Sequence, residues 1–291
     1  MPTVYLATII ASLFASAKDI CSKSLSAKIS PDTSAFFSLA LALPFYLCVL
    51  IYLATCGVHV FALGLTFFFY VLLRALSDTA AEWCKMKSFA HGDISLVTGY
   101  MSLSPIFLLI ISPIITGDIP SLYGIVGVLI TTFGIFILTG VSLQLVEARK
   151  GIFFAILTAI FFSINNCFDR LATQLANPFV SGFWMTLVAA LMLLPLYIKD
   201  QKRSKKTSPL PWKLLLTRGV CETLFMSSKL WALQYLQAPY VASILKLSLI
   251  LTIFSGGFLF KEKDFQRRAI GGIFIITGSI IVIIGSYLQS N

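Results

Sequence analysis

The chain has 291 residues, of which 58% are hydrophobic and only 12% charged, with a mean hydropathy of +0.91. Soluble domains carry about 25% charged residues, so this composition excludes a soluble globular protein and leaves no stretch for a separate soluble module. The formal net charge of +10 does not mark a nucleic-acid binder, because no soluble segment could shape a basic groove.

Apolar runs punctuated by proline, glycine and charge clusters predict an all-α polytopic membrane protein with about ten spanning helices, at roughly 4–25, 33–55, 64–89, 93–115, 119–142, 151–175, 178–199, 212–236, 239–260 and 268–287. The first span contains Ala15-Ser16-Ala17, which imitates a signal-peptidase site, but no basic leader precedes it and cleavage is not expected. Its later part turns polar at Lys18 and Asp19. The third span carries a charged stripe, Arg74, Asp78, Glu82 and Lys85, at steps that share a helix face. Tyr100 and Ser102 lie mid-way along the fourth, and Asn165 and Asn166 along the sixth. The connection over 199–213 is the one long solvated loop. Arg218, Glu222 and Lys229 repeat the charged stripe on the eighth span, near whose end Trp231, Tyr235 and Tyr240 suit an interfacial aromatic belt.

The ninth span holds a single charge, Lys246, near its middle. A lysine at the centre of a membrane helix costs roughly 2.5 to 3.5 kcal/mol, so it is expected to face a cavity, a partner or a substrate path. It can anchor an anionic group of a substrate, or pair with Glu222 or a backbone carbonyl and lock two helices together. The six cysteines form no CxxC pair and no histidine cluster, so neither a zinc site nor a disulfide framework is expected; they read as small buried hydrophobes.

The chain also repeats itself. A shift of 144 pairs Arg74 with Arg218, Asp78 with Glu222, Thr79 with Thr223, Lys85 with Lys229, Gly127 with Gly271 and Gly134 with Gly278. A shift of 147 pairs Pro31 with Pro178 and sets Lys18-Asp19 over Asn165-Asn166. These offsets divide the chain into two halves, 1–145 and 146–291, of five helices each. An odd number of helices per half makes the repeat inverted, an arrangement that places a binding site at the midplane between the halves. Lysines and arginines crowd the connections after odd-numbered helices, whereas Arg170 stands alone on the other side. The positive-inside rule then leaves both termini outside the cytoplasm, in a plasma or bacterial inner membrane.

The five-helix unit closes each time on a short acidic junction, TGD at 116–118 and FKE at 260–262, followed by a glycine-ribbed helix, GIVGVLITTFG or GGIFIITGSIIVIIG. In these features the chain resembles the EamA family of the drug/metabolite transporter superfamily. The resemblance implies a secondary transporter whose fourth and ninth helices line a central path. In the sugar-phosphate transporters of that superfamily a lysine placed similarly to Lys246 binds phosphate, although Leu247 stands here where they carry a second cation.

The candidate substrate-binding residues are therefore Lys246, Lys229, Trp231, Lys18, Asn165, Asn166, Tyr100 and Ser102. Arg74, Asp78, Arg218 and Glu222 are candidates for gating or proton coupling, with neutralising ion pairs as the simpler reading. The function expected is alternating-access transport of a small polar metabolite, an amino acid or organic anion, with no cofactor and no metal. A polytopic enzyme and a non-transporting receptor or assembly partner are the alternatives. No P-loop, HExxH or GxSxG motif is present. Besides substrate and lipid, a second copy is a possible partner, because glycines at 127, 134, 271, 278 and 285 recur every seven residues and allow close helix approach.

Overall fold

The computed structural model describes residues 2–26, 28–57, 63–91, 94–139, 149–203, 210–251 and 265–290. Among these residues there are helices and no strands: α1 (Pro2–Ser26), α2 (Pro31–Ala40), α3 (Leu43–Thr55), α4 (Leu65–His91), α5 (Ile94–Met101), α6 (Ser104–Ile115), α7 (Leu122–Thr139), α8 (Arg149–Leu175), α9 (Pro178–Arg203), α10 (Trp212–Tyr235), α11 (Ala238–Leu245) and α12 (Phe265–Ser290). Among the described residues seven stretches are long and apolar enough to cross a membrane. Helices α4 and α10 have comparable length but carry the charged stripes.

Three expected spans are broken in the middle. The stretch 33–55 divides at Leu41-Ala42, and 93–115 divides at Ser102-Leu103. Pro44 and Pro105 follow the two breaks within the first two residues of α3 and α6, where a missing N–H and a restricted preceding residue suit a helix start and not a helix interior. The ninth span breaks at Lys246 without a proline. There the chain switches to i→i+3 bonds, Lys246 N donating to Ser243 O at 3.0 Å and Leu249 N to Lys246 O at 3.0 Å, before helix resumes over 247–251. The rest of that span, and the FKE junction, lie outside the described residues. Of the TGD junction, Gly117 takes φ +72°, a conformation open to glycine at little cost.

Charged side chains are buried in the interior of the molecule beside its apolar core, and large apolar side chains face outward. Arg74, Asp78, Asp169, Arg218, Glu222 and Lys229 are buried, whereas Leu6, Leu13, Phe69, Ile110, Ile114, Phe133, Ile273 and Ile280 are exposed. Water would not reward that exchange, but hydrocarbon does, since exposed leucine is at home in lipid and a charge is tolerated only in the bundle interior. The chain is an integral multi-pass membrane protein. All six cysteines are free; Cys84, Cys167 and Cys221 are buried as expected, but Cys48 and Cys56 lie on the exposed surface.

Three antiparallel helix pairs build the core. In the first, α7 and α12 run against each other so closely that a Cβ on Gly127 would lie 2.8 Å from Gly278 O, and one on Gly134 2.8 Å from Gly271 O. The two glycine stripes are thus consumed by each other within one chain. The second pair is α4 with α8, joined by Ser88 Oγ donating to Gly151 O at 2.7 Å at one end and Arg74 to Asp169 at the other. The third is α1 with α10, joined by Lys18 to Glu222 and Arg218 to Ser22.

Candidate functional site

The charged stripes of α4 and α10 point inward and meet polar residues of α8 and α1. On one side Arg74 Nη1 bonds Asp78 at 3.0 Å within its own helix and Arg74 Nε bonds Asp169 at 3.1 Å on α8. Asp169 is 0% exposed and takes Lys229 Nζ of α10 at 2.6 Å on its other oxygen. Asn165 completes the chain by donating from Nδ2 to Asp78 at 2.7 Å. On the other side Arg218 Nη1 bonds Glu222 at 2.5 Å within α10, and Arg218 Nε donates to Ser22 Oγ at 2.9 Å. Lys18 reaches the same Glu222 at 3.3 Å.

The two sides follow one plan. With the offsets 144 and 147, Arg74 matches Arg218, Asp78 matches Glu222, Asp169 matches Ser22 and Asn165 matches Lys18. The same guanidinium atoms serve the same purposes on both: Nη1 takes the acid four residues on, and Nε takes the facing helix. The plan is broken where the residue types differ. Lys229 has Asp169 to bind, but Ser22 stands at the position matching Asp169, and the counterpart Lys85 pairs with Glu82 at 2.9 Å.

Phe225 links the halves. Its ring lies 3.8 Å below Lys18 Nζ and 5.9 Å from Lys229 Nζ, distances at which a ring face attracts a cation. Beyond it stands Lys246, partly buried at the break after α11. Among the described residues the Lys246 ammonium has no hydrogen bond or ion pair; Glu222, the partner considered from the sequence, is occupied by Arg218 and Lys18. The charges close enough to act on Lys246 are Asp19 and Lys229. One turn earlier, the hydroxyl of Ser243 is buried and likewise without a partner.

Among the described residues the ion pairs of this network join five cations, Lys18, Arg74, Lys85, Arg218 and Lys229, to four carboxylates, Asp78, Glu82, Asp169 and Glu222. The Lys246 ammonium stands outside these pairs.

Of the residues singled out from the sequence, Lys18, Lys229 and Asn165 thus belong to this network along with Arg74, Asp78, Arg218 and Glu222. Asn166 donates within its own helix to Phe162 O at 2.6 Å. Ser102 is buried at the α5–α6 break, the position that matches Lys246 at the 144 offset, and Tyr100 packs edge-on against Phe136 of α7 at 6.3 Å. Trp231 sits apart from the network, on the outward stripe of α10 with Val220, Leu224 and Tyr235. Tyr240, assigned from the sequence to the same belt, is instead buried, its hydroxyl accepting from Ser121 N at 2.7 Å and donating to Gln289 at 2.8 Å. Asp169 and Phe225 were missed. Asp169 follows Asn165 by four residues on a helix face whose counterpart in α1 runs from Lys18 to Ser22, and that step was the available signal.

At the opposite end of the bundle Arg170 clasps Asp118 with two nitrogens, at 2.5 and 2.9 Å, and donates to the carbonyls of Leu233 at 2.8 Å and Leu236 at 2.6 Å. One side chain thereby ties α8 to the α6–α7 junction and to the turn between α10 and α11.

The EamA-like transporter family matches the chain twice, over residues 2–140 and 149–284. Over 138 residues the chain is 30% identical to an uncharacterized transporter of Clostridium kluyveri; the match covers 46% of this chain and 44% of that relative, so the chain spans less than half of the relative's length. A solved crystal structure superposes with a TM-score of 0.78 over 98% of both chains at 14% identity, a likeness of fold alone. With its two family matches covering nearly all of its helices, the chain belongs to the EamA-like transporter family.

Proposed function

We propose that the protein is a secondary transporter that carries a small polar metabolite with an anionic group, an amino acid or an organic anion, through the space beside Lys246. The observation that carries this reading is the Lys246 ammonium at a helix break, which has no partner among the described residues, in a network whose other described cations are each matched to acids. An unmatched cation in a site of low dielectric is a strong attractor for an anion. Ser243, a buried hydroxyl one turn away with no partner among the described residues, supplies a donor for the same group.

The reading includes ten membrane spans in two inverted halves, 1–145 and 146–291, with alternating access as the halves rock about the network. The matched Arg, acid and facing-helix contacts of α4/α8 and α10/α1 support that symmetry, as does the antiparallel α7/α12 pair. Both termini are assigned to the non-cytoplasmic side on the lysine and arginine distribution.

The test begins with a thermal-shift screen of purified protein against amino acids, organic anions, sugar phosphates, nucleotides and organic cations. The ligand found is then followed into liposomes with no nucleotide present. Lys246→Ala is expected to lower uptake by about ten- to hundredfold, the range that loss of one charge-assisted hydrogen bond of roughly 1.5 to 3 kcal/mol implies, without changing the unfolding temperature. Full uptake by this variant removes Lys246 from the site, and stabilisation by organic cations alone sinks the anionic substrate.

A further inference from the structure

A second cluster of positive charge lies outside the network, on the surface where the end of α4 passes the start of α8. It forms a groove of about 520 Å³ lined by Trp83, Lys87, His91, Arg149, Lys150, Phe153 and Phe154. The joint behind it is closed by Ser88 donating to Gly151 O, so the groove opens outward and not toward Lys246. Its floor is aromatic and built: Trp83 meets Phe154 edge-on at 5.8 Å and 87°, and His91 lies 6.2 Å from Phe154, held by its Nδ1 to Lys87 O at 2.8 Å. Lys87 Nζ stands 5.6 Å from the Trp83 ring. Trp83, Lys87, Arg149, Lys150 and Phe153 are exposed, and among the described residues no carboxylate lines the groove and none pairs with these cations.

Like charges on two helices converge here with no acid of the described residues between them, and large rings are exposed beside them at the end of membrane helices. A free anion would satisfy the charges and leave the rings uncovered. A molecule with a negative headgroup and an apolar body satisfies both, which is the chemistry of basic grooves between membrane helices that hold anionic lipid. We propose that this groove binds the phosphodiester headgroup of an anionic phospholipid, with Lys87, Arg149 and Lys150 on the phosphate and Trp83 and Phe153 against the glycerol and first acyl carbons. A second basic groove, lined by Leu191, Leu194, Pro195, Ile198, Lys199 and Lys202, has fewer cations and no ring, and serves as the control.

The full-length protein in neutral detergent is offered phosphatidylglycerol or phosphatidylcholine and the lipid adducts are counted by native mass spectrometry. Wild type and the control K199Q/K202Q are expected to retain phosphatidylglycerol in preference to phosphatidylcholine. K87Q/R149Q/K150Q is expected to lose that adduct by at least about tenfold, with its unfolding temperature in lipid-free detergent unchanged; should the triple variant fail to fold, Lys87→Gln alone is expected to weaken the adduct severalfold. Retention of the wild-type adduct by the folded variants, or equal uptake of the two lipids by wild type, overturns the proposal. So does displacement of phosphatidylglycerol by inorganic phosphate at equal concentration, which would make the groove a site for free phosphate.

Discussion

Asp169 and Lys246 are opposite cases of a charge placed in a membrane. Asp169 has no solvent exposure and holds two cations from two other helices, Arg74 and Lys229. Removing one member of such a buried group leaves charges without compensation and costs about 3 to 5 kcal/mol. Asp169→Asn is therefore expected to lower the unfolding temperature of the purified protein by many degrees, and adding Lys229→Met is expected to recover a large part of the loss, the signature of a coupled pair. An Asp169→Asn protein that melts with the wild type would remove Asp169 as the keystone of the network. Among the described residues Lys246 has no such bonds to lose, so its replacement by alanine is expected to spare stability while, on the proposed function, it lowers transport; the two variants together separate a charge that holds helices from one proposed to bind the substrate. The sequence made Lys246 conspicuous because it stands alone in an apolar run. Asp169 was obscured by its neighbours, since Arg170 beside it offers an obvious partner on paper, whereas the helix turns the two side chains to different ends of the molecule.

At the scale of elements, the helices and their charged faces were readable because burial in lipid demands long apolar runs and helical spacing. Their breaks were less so. Pro44 and Pro105 are visible in the sequence, yet an apolar run of more than 20 residues outweighs one proline when only length is weighed, and the break at Lys246 has no local signal of that kind. The glycine ribs of α7 and α12 announced a close contact without naming its partner, because a smooth stripe is equally suited to a helix of the same chain or of another. The structure answers that question with backbone against backbone. A Cβ on Gly278 would lie 2.5 Å from Thr131 N and 2.4 Å from Thr131 Oγ1, and the backbone atom cannot turn away. Gly278→Ala is expected to force α7 and α12 apart at a cost of about 1 to 3 kcal/mol, read as a lower unfolding temperature in detergent. Gly64→Ala, where an added Cβ meets nothing within 4 Å, should be close to neutral. Equal stability of the two variants would mean that the helices can slide past the added methyl group, and the tight α7/α12 joint would lose its role as the fixed part of the core.

For the whole molecule, the two ends of the bundle are unequal. At one end Arg170 binds Asp118 and the carbonyls of Leu233 and Leu236, Tyr240 bridges Ser121 and Gln289, Gln289 donates to Ile119 O at 2.7 Å, and Tyr5 pairs with Ser286 at 2.7 Å. Toward the other end Asp19 is exposed and the Lys85–Glu82 pair is about one-fifth exposed. In the alternating-access cycle proposed above, each end opens in turn and the bonds at the first end break in every cycle. Arg170 is the member that spans the most elements, and its four contacts are lost together if it moves. Truncating it should shift the balance toward a form open at that end. In a cysteine-free background carrying Ser243→Cys, a site now fully buried beside Lys246, a membrane-impermeant maleimide applied from the Arg170 side should label slowly. Adding Arg170→Ala should raise that rate by about tenfold or more, since a population shift of roughly 1.4 kcal/mol is already tenfold and a single charge-assisted bond contributes as much. The substrate found in the screen should slow labelling in both proteins if it occupies the space beside Lys246. An unchanged labelling rate after the truncation would make Arg170 a static brace, and the closing bonds would then have to be sought at Tyr240 and Gln289.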